Sequence, residues 1–508
     1  MNEIKIKRIL KSVPACASWS LLIGLLLLVV LKPLWAAIFL TLYLMYWACR
    51  LLYMTALLII AHLRMYFRKK NQWLDMCEKA ATDISFNEIL HVVLYPIYQE
   101  PETVIEQSLL SLRSVAYPLK SIIVVLAGEE RDADTRTKLE RIHIKNKKYF
   151  RDIITTFHPT NVEGEIPSKG ANATYAAHQI KKYLEKNEHP FENVILSCFD
   201  VDTCPDKNYF SCLTYHFLIN PKRHQTSYQP LPIYSNNIYE VPALARVIEV
   251  GSTFWQLVES MRYEKFITFS SHSMSFKTLV DVGYWPVDMI SDDSVIFWKC
   301  YLYYHGDYRT CPLETPVYMD IAVGKNFFDT IRIQYTQKRR WAWGVENFVY
   351  IAMHFLRHQN IPWMVKCKKI CQLLENHVNW ATWAIIISFI TPAIILWGKV
   401  TDQNALVLFN LSYINGVLSH ALLLILILSI AISKYFMPPR PKHVSRLIYV
   451  SFILQWLLLP LISAVLGSLP ALDAQTRMMM GKDIAFNRTP KVRVTIVKEN
   501  KEKRREKK

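Results

Sequence analysis

The chain has 508 residues, 52% of them hydrophobic and 13% aromatic, with a formal net charge of +18 from 60 Lys and Arg against 42 Asp and Glu. So much apolar surface excludes disorder as the main state and is unusual for a purely soluble domain. The basic excess leaves nucleic acid or the inner face of a membrane as partners, and the position of the charges separates them.

Residues 12–31 carry no charge, and after Lys32 and Pro33 the apolar stretch resumes over 34–49 and, past Arg50, over 51–62. A spanning helix takes about 20 residues. Residues 1–70 therefore predict a membrane block of two transmembrane helices, the second running past Arg50 toward the surface. Lys5, Lys7, Arg8 and Lys11 precede the pair, and Arg64, Arg68, Lys69 and Lys70 come after it. Both flanks are then cytoplasmic by the bias of Lys and Arg.

From residue 90 the pattern changes to strands alternating with helices. Leu90–Tyr95, Ser121–Leu126 and Val194–Phe199 read as buried strands, and Thr103–Ser114 and Ala171–Leu184 as helices. That alternation predicts a mostly parallel sheet covered on both faces. In such sheets the chemistry lies beyond the carboxyl ends of the strands. The first strand leads into Pro96, Tyr98 and Glu100, the second into Glu129 and Glu130, and the third into Asp200-Val201-Asp202.

Two carboxylates leaving an apolar strand need a cation, and a hard divalent metal bridging to a diphosphate meets that need. A turn after the strand is the plainer alternative. A second D-x-D, Asp132-Ala133-Asp134, lies in a charged run that reads as solvated surface. Ser291-Asp292-Asp293 opens a helical stretch, where acids also serve simply to complement the helix dipole. Farther on, Gln337, Arg340 and Trp341 are spaced i, i+3 and i+4, so one helix face carries an amide, a guanidinium and an indole. Such a face can hold a phosphate and stack on a sugar. Lys338 and Arg339 then point elsewhere, toward lipid headgroups.

No G-x-G-x-x-G and no G-x-x-x-x-G-K-[ST] occurs, so the usual dinucleotide and P-loop modes are excluded. The ten cysteines form no C-x-x-C or zinc spacing, which suits a reducing compartment. Residues 379–398, 405–433 and 447–472 are again apolar, giving a carboxy-terminal block over 346–476 with an interface helix and three or four crossings. The stretch 447–472 is either a hairpin broken near Pro460 or partly interfacial. The tail, 477–508, has twelve Lys and Arg against four acids and reads as cytoplasmic.

The order of these motifs resembles the membrane-embedded family 2 glycosyltransferases, which include cellulose, chitin and hyaluronan synthases. The resemblance covers about residues 85–345 by motif and the whole chain by architecture. It implies an α/β glycosyltransferase-A domain, residues 71–345, cytoplasmic and inserted between α-helical transmembrane segments. It also implies a nucleotide-diphosphate sugar, a UDP-sugar, as donor, Mg²⁺ or Mn²⁺ as cofactor, and a glycan or lipid-linked acceptor.

By that likeness Asp293 is the catalytic base, with Asp292 beside it; Ser291-Asp292-Asp293 stands for the family's T-E-D, with Ser and Asp replacing the first two letters. Pro96, Tyr98, Glu100, Glu129, Lys169, Asn172, Asp200, Gln337 and Arg340 bind the donor, and Asp200 and Asp202 hold the metal. Glu129 stands where the family usually has an aspartate contacting uracil. Trp341 and His272 face the acceptor, His272 replacing a small residue.

The implied activity is an inverting, metal-dependent transfer that builds a polysaccharide at the plasma (inner) membrane, coupled to its translocation. Transfer of a single sugar is the alternative reading, and a silent scaffold a more distant one. Nucleic acid is excluded as a partner because the basic residues gather beside the spans and in the tail.

Overall fold

The computed structural model describes residues 3–392, 437–442 and 444–484, with scattered positions between 410 and 434. Most of the expected span over 405–433 and most of the basic tail lie outside the described residues. In chain order the helices are α1 (Glu3–Leu31), α2 (Pro33–Arg68), α3 (Trp73–Glu78), α4 (Glu102–Arg113), α5 (Thr135–Asn146), α6 (Lys169–Lys186) and α7 (Tyr209–Ile219). They continue with α8 (Ala243–Ser260), α9 (Phe276–Asp281), α10 (Asp292–Tyr303), α11 (Phe327–Ala342), α12 (Glu346–Arg357) and α13 (Trp363–Ile385). The last is α14, a helical run over Ile448–Met479 that passes through 3₁₀ and π turns. The strands are β1 (Leu90–Pro96), β2 (Ile122–Glu129), β3 (Asp152–His158), β4 (Val194–Cys198), β5 (Cys204–Pro205), β6 (Thr226–Tyr234), β7 (Ser273–Ser275) and β8 (Arg309–Met319).

The chain divides into two units. Of the described residues, one comprises 61–241 and 253–323; the other comprises those within 3–60, 242–252 and 324–484.

The first unit holds the eight-stranded sheet, in the order β3-β2-β1-β4-β7-β6-β8-β5. The half made of β3, β2, β1 and β4 is parallel throughout. Every residue of β2 and β4 is buried, which is why these segments read as unbroken apolar runs. Beyond β4 the expectation of a mostly parallel sheet is corrected. The three-residue β7 runs antiparallel to both β4 and β6, and only the β6–β8 pair is parallel on that side. Pro230 and Pro232 lie within β6, and a register shift between Gln229 and Leu231 accommodates them. A parallel half joined through a reversed short strand to a mixed half is an α/β arrangement that agrees with the domain expected from the motif order.

The second unit is helical. Among the described residues, three helices are long and apolar enough to cross a membrane: α1, α2 and α14. At about 1.5 Å per residue, α2 with its 36 residues is about 54 Å long, well beyond a hydrocarbon core of about 30 Å. Polar groups inside these helices find partners on other helices of the same unit. Ser18 donates to Gln475 Oε1 at 2.7 Å, Trp19 Nε1 donates to Thr476 Oγ1 at 2.9 Å, and Arg50 pairs with Glu375 at 2.8 Å.

Candidate active site

In the sheet-bearing unit the site forms where β1, β2 and β4 end. The chain leaves β1 through Pro96 and turns at Gln99, whose φ of +59° lies in the left-handed region. Gln99 N donates to Asp132 Oδ2 at 3.1 Å, and the Tyr98 amide donates to Glu100. Lys138 Nζ completes this junction, 3.2 Å from the same Asp132 oxygen. The charged run around Asp132 is therefore not merely solvated surface; it ties the β1 and β2 loops together. Beside it the Arg131 guanidinium lies 3.9 Å from the centre of the Tyr98 ring and pairs with Glu129. Burial lifts the Glu129 carboxyl above its ordinary range, against the pull of Arg131. A phenol, a guanidinium and a carboxylate thus make one stack at the strand ends. Arg131 does not stand out in the sequence, since a cation in a mixed-charge run gives no periodic signal.

The acids converge one loop away. Ser168 caps α6, its Oγ accepting from Ala171 N at 3.2 Å, and Lys169 begins the helix. Lys169 Nζ donates to Asp200 Oδ1 at 2.7 Å and to Asp293 at 2.8 Å (Oδ1) and 3.1 Å (Oδ2). Burial works against its charge, but Asp200 and then Asp293 hold the ammonium well above the usual lysine value. Asp200 Oδ2 also accepts from Ser270 at 2.6 Å, and the Asp293 carbonyl accepts from Thr268 at 2.7 Å. Gly170 allows the close approach, because a Cβ there would stand 2.8 Å from Asp292 Cβ and 2.9 Å from the Pro286 carbonyl oxygen.

Lys169 thus stands between the carboxylates rather than free for a nucleotide. Two further expectations change with burial. Asn172 is 1% exposed and donates to the Ala127 carbonyl at 2.8 Å, so it pins α6 to β2. His272 is fully buried, its ring Nδ1 3.0 Å from the Phe269 carbonyl and 3.8 Å from Asp293 Oδ1. It packs behind the acid instead of lining an acceptor channel. Burial lowers its pKa, with Asp293 working the other way.

For a divalent cation the donors are hard oxygens, as Mg²⁺ or Mn²⁺ requires. The Lys169 ammonium already stands as a cation between two of them. Asp202 is wholly buried and accepts from Asp320 N at 2.9 Å. Among the described residues one group gathers a mixed set of sulfur, nitrogen and oxygen donors, Cys212, His216 and Glu314. There the Arg64 guanidinium sits 2.7 Å from Glu314 and His216 2.7 Å from its other oxygen, so the carboxylate charge is already met. That cluster ties the end of α2 to α7 and β8.

In the helical unit, Gln337, Arg340 and Trp341 lie on α11 as the spacing predicts. Gln337 is 8% exposed, and its Oε1 has no hydrogen-bond partner among the described residues. Lys338 and Arg339 do not reach for headgroups. Lys338 is buried against Glu249 at 2.9 Å, and Arg339 pairs with Asp473 at 2.9 Å.

No family model matches the chain. It is 24% identical over 323 residues to poly-β-1,6-N-acetyl-D-glucosamine synthase of Staphylococcus epidermidis, covering 62% of this chain and 67% of that one. Among solved structures it is similar to the mannosyltransferase PcManGT from Pyrobaculum calidifontis in complex with GDP-Man and Mn²⁺. That likeness has 16% identity, a TM-score of 0.43, and coverage of 86% of this chain and 99% of that one. It is also similar to residues 1–349 of S. aureus TarS in complex with UDP-GlcNAc, with 13% identity, a TM-score of 0.35, and coverage of 78% and 94%. The resemblance to family 2 glycosyltransferases expected from the motif order is met by the synthase relative.

Proposed function

We propose that the chain is an inverting glycosyltransferase that takes a nucleotide-diphosphate sugar, UDP-linked, and builds a polysaccharide at the membrane. The observation that carries this reading is the convergence of Asp200 and Asp293 on one ammonium. One acid comes from beyond a central strand and the other from the start of a helix. The polysaccharide synthase relative supports the product class.

In this reading Asp293 accepts the proton of the acceptor hydroxyl as its oxygen attacks the anomeric carbon. The bond to the diphosphate breaks on the opposite side, so one displacement inverts the configuration. Asp200, with Asp202, would hold Mg²⁺ or Mn²⁺, which when bound supplies positive charge to the departing diphosphate. By the resemblance alone, Gln337 and Arg340 are assigned to donor binding and Trp341 to the acceptor. The stack of Tyr98, Arg131 and Glu129 is assigned to the nucleobase end. The same reading has the reaction at the inner membrane, with the catalytic domain cytoplasmic and the product translocated through the helical unit; the apolar helices support it.

The test incubates membranes containing the full chain with a panel of nucleotide sugars and Mg²⁺ or Mn²⁺, following nucleotide release and product size. Long product is expected from a UDP-sugar. Asp293→Asn should lower transfer by about 10²–10⁴-fold while keeping donor binding. Undiminished transfer by that variant overturns the assignment of the base, and a product one sugar longer than its acceptor overturns polymer synthesis.

A further inference from the structure

Lys338 lies three residues before Trp341 on α11. Its ammonium is 2.9 Å from Glu249 Oε2 and 3.0 Å from Ser252 Oγ, both on α8, and 3.6 Å from the centre of the Trp341 ring. The Lys338 and Glu249 side chains are 3% and 1% exposed. Burying such a pair costs desolvation that apolar residues of the same volume would avoid. A pair kept in that place makes sense if it fixes a geometry. Lysine is ordinarily a flexible stem. Here its head is fixed by a carboxylate, a hydroxyl and a π face, while Trp341 itself stays partly exposed. Burial lowers the Lys338 pKa and Glu249 opposes that, so loss of Glu249 would also weaken the charge beneath the ring.

We propose that Glu249 and Lys338 are positioning residues for Trp341: the locked ammonium holds the indole at one setting, from which it stacks on the terminal sugar of the growing glycan. The inference rests on the glycosyltransferase reading above and deepens it. The ion pair would govern acceptor recognition and leave the donor alone. A ring held on one face by a cation presents a fixed platform to the C–H face of a pyranose. A mobile ring would first have to be ordered by the acceptor.

The test uses the full-length protein in detergent, with UDP-N-acetylglucosamine as donor and a short β-1,6-linked N-acetylglucosamine oligomer as acceptor probe. Lys338→Met and Glu249→Gln should each raise the KM for the oligomer on the order of 5–10-fold, the size of one cation–π contact, and move the donor KM by less than about twofold. Lys338→Arg, which keeps a cation, should restore most of the loss. The double variant Glu249→Gln/Lys338→Met removes both charges, so it should melt near the wild type and still show the raised oligomer KM.

A second readout needs no turnover. In 5-fluorotryptophan-labelled protein, the ¹⁹F resonance that disappears in Trp341→Phe should shift in both single variants. Donor and oligomer KM rising together, or a Trp341 resonance that does not move, overturns the proposal. A wild type that releases nucleotide from no sugar donor overturns the glycosyltransferase reading instead, and the resonance then still decides whether the pair sets the ring.

Discussion

Lys169 touches both the proposed base Asp293 and the proposed metal ligand Asp200, and without it the two would face each other as like charges at partly buried positions. A divalent cation can take over that duty. Lys169→Met should therefore melt lower than the wild type and recover more of its stability on addition of Mg²⁺, which thermal unfolding with and without the ion would measure. An equal Mg²⁺ response in the two proteins would show that the ammonium does not stand in for a metal. The acids themselves were legible in the sequence, because each comes just after an apolar run or opens a helical one. The role of their partner Lys169 is not legible in the same way. The contact joins residues 31 and 124 positions apart, and no local pattern encodes such a distance.

At the scale of elements, β1, β2, β4, α4, α6 and α10 were legible because burial on both faces, or on one stripe, writes a period into the sequence. Other strands give no such period. β3 is only partly buried along its length, β7 has three residues, and β6 carries two prolines that argue against a strand. Lys338 gives a misleading signal for a related reason. A lysine between two arginine-bearing turns reads as surface, and its buried partner Glu249 belongs to a helix 89 residues earlier. The start of α6 offers the sharpest test of packing. Gly170→Ala places a methyl group against Asp292 and Pro286, and the helix must withdraw. A loss of about 1–3 kcal/mol in unfolding free energy is expected, as for other overpacked sites. Transfer should fall too, because Lys169 and Asp293 sit on the two elements pushed apart. Wild-type stability and activity in that variant would contradict the close approach.

For the whole molecule, the combination of high apolarity and +18 charge resolves by position. The apolar excess belongs to α1, α2, α14 and a doubly covered sheet, and basic residues gather at the ends of the chain. One charge cluster bears on overall stability. Glu314 is held near pKa 2: burial acts to raise it, but His216 and Arg64 outweigh burial. Its folded value lies below the ordinary 4.5, so its contribution is full above about pH 4.5 and is lost as the pH falls toward about 2. Melting followed by tryptophan fluorescence should decline below about pH 4.5, and less steeply in Glu314→Gln.

The same contact decides where this protein can be cut. The stretch that reads as anchor runs to Lys70, yet Arg64, near the end of α2, closes over a carboxylate that is only 3% exposed. A soluble fragment begun at residue 71 strands Glu314 without its guanidinium, whereas one begun at residue 61 keeps it. Of two such fragments ending at residue 345, the longer should purify as a monodisperse species and the shorter should aggregate. The last two turns of α2 thus belong with the sheet-bearing unit, although their sequence reads as membrane.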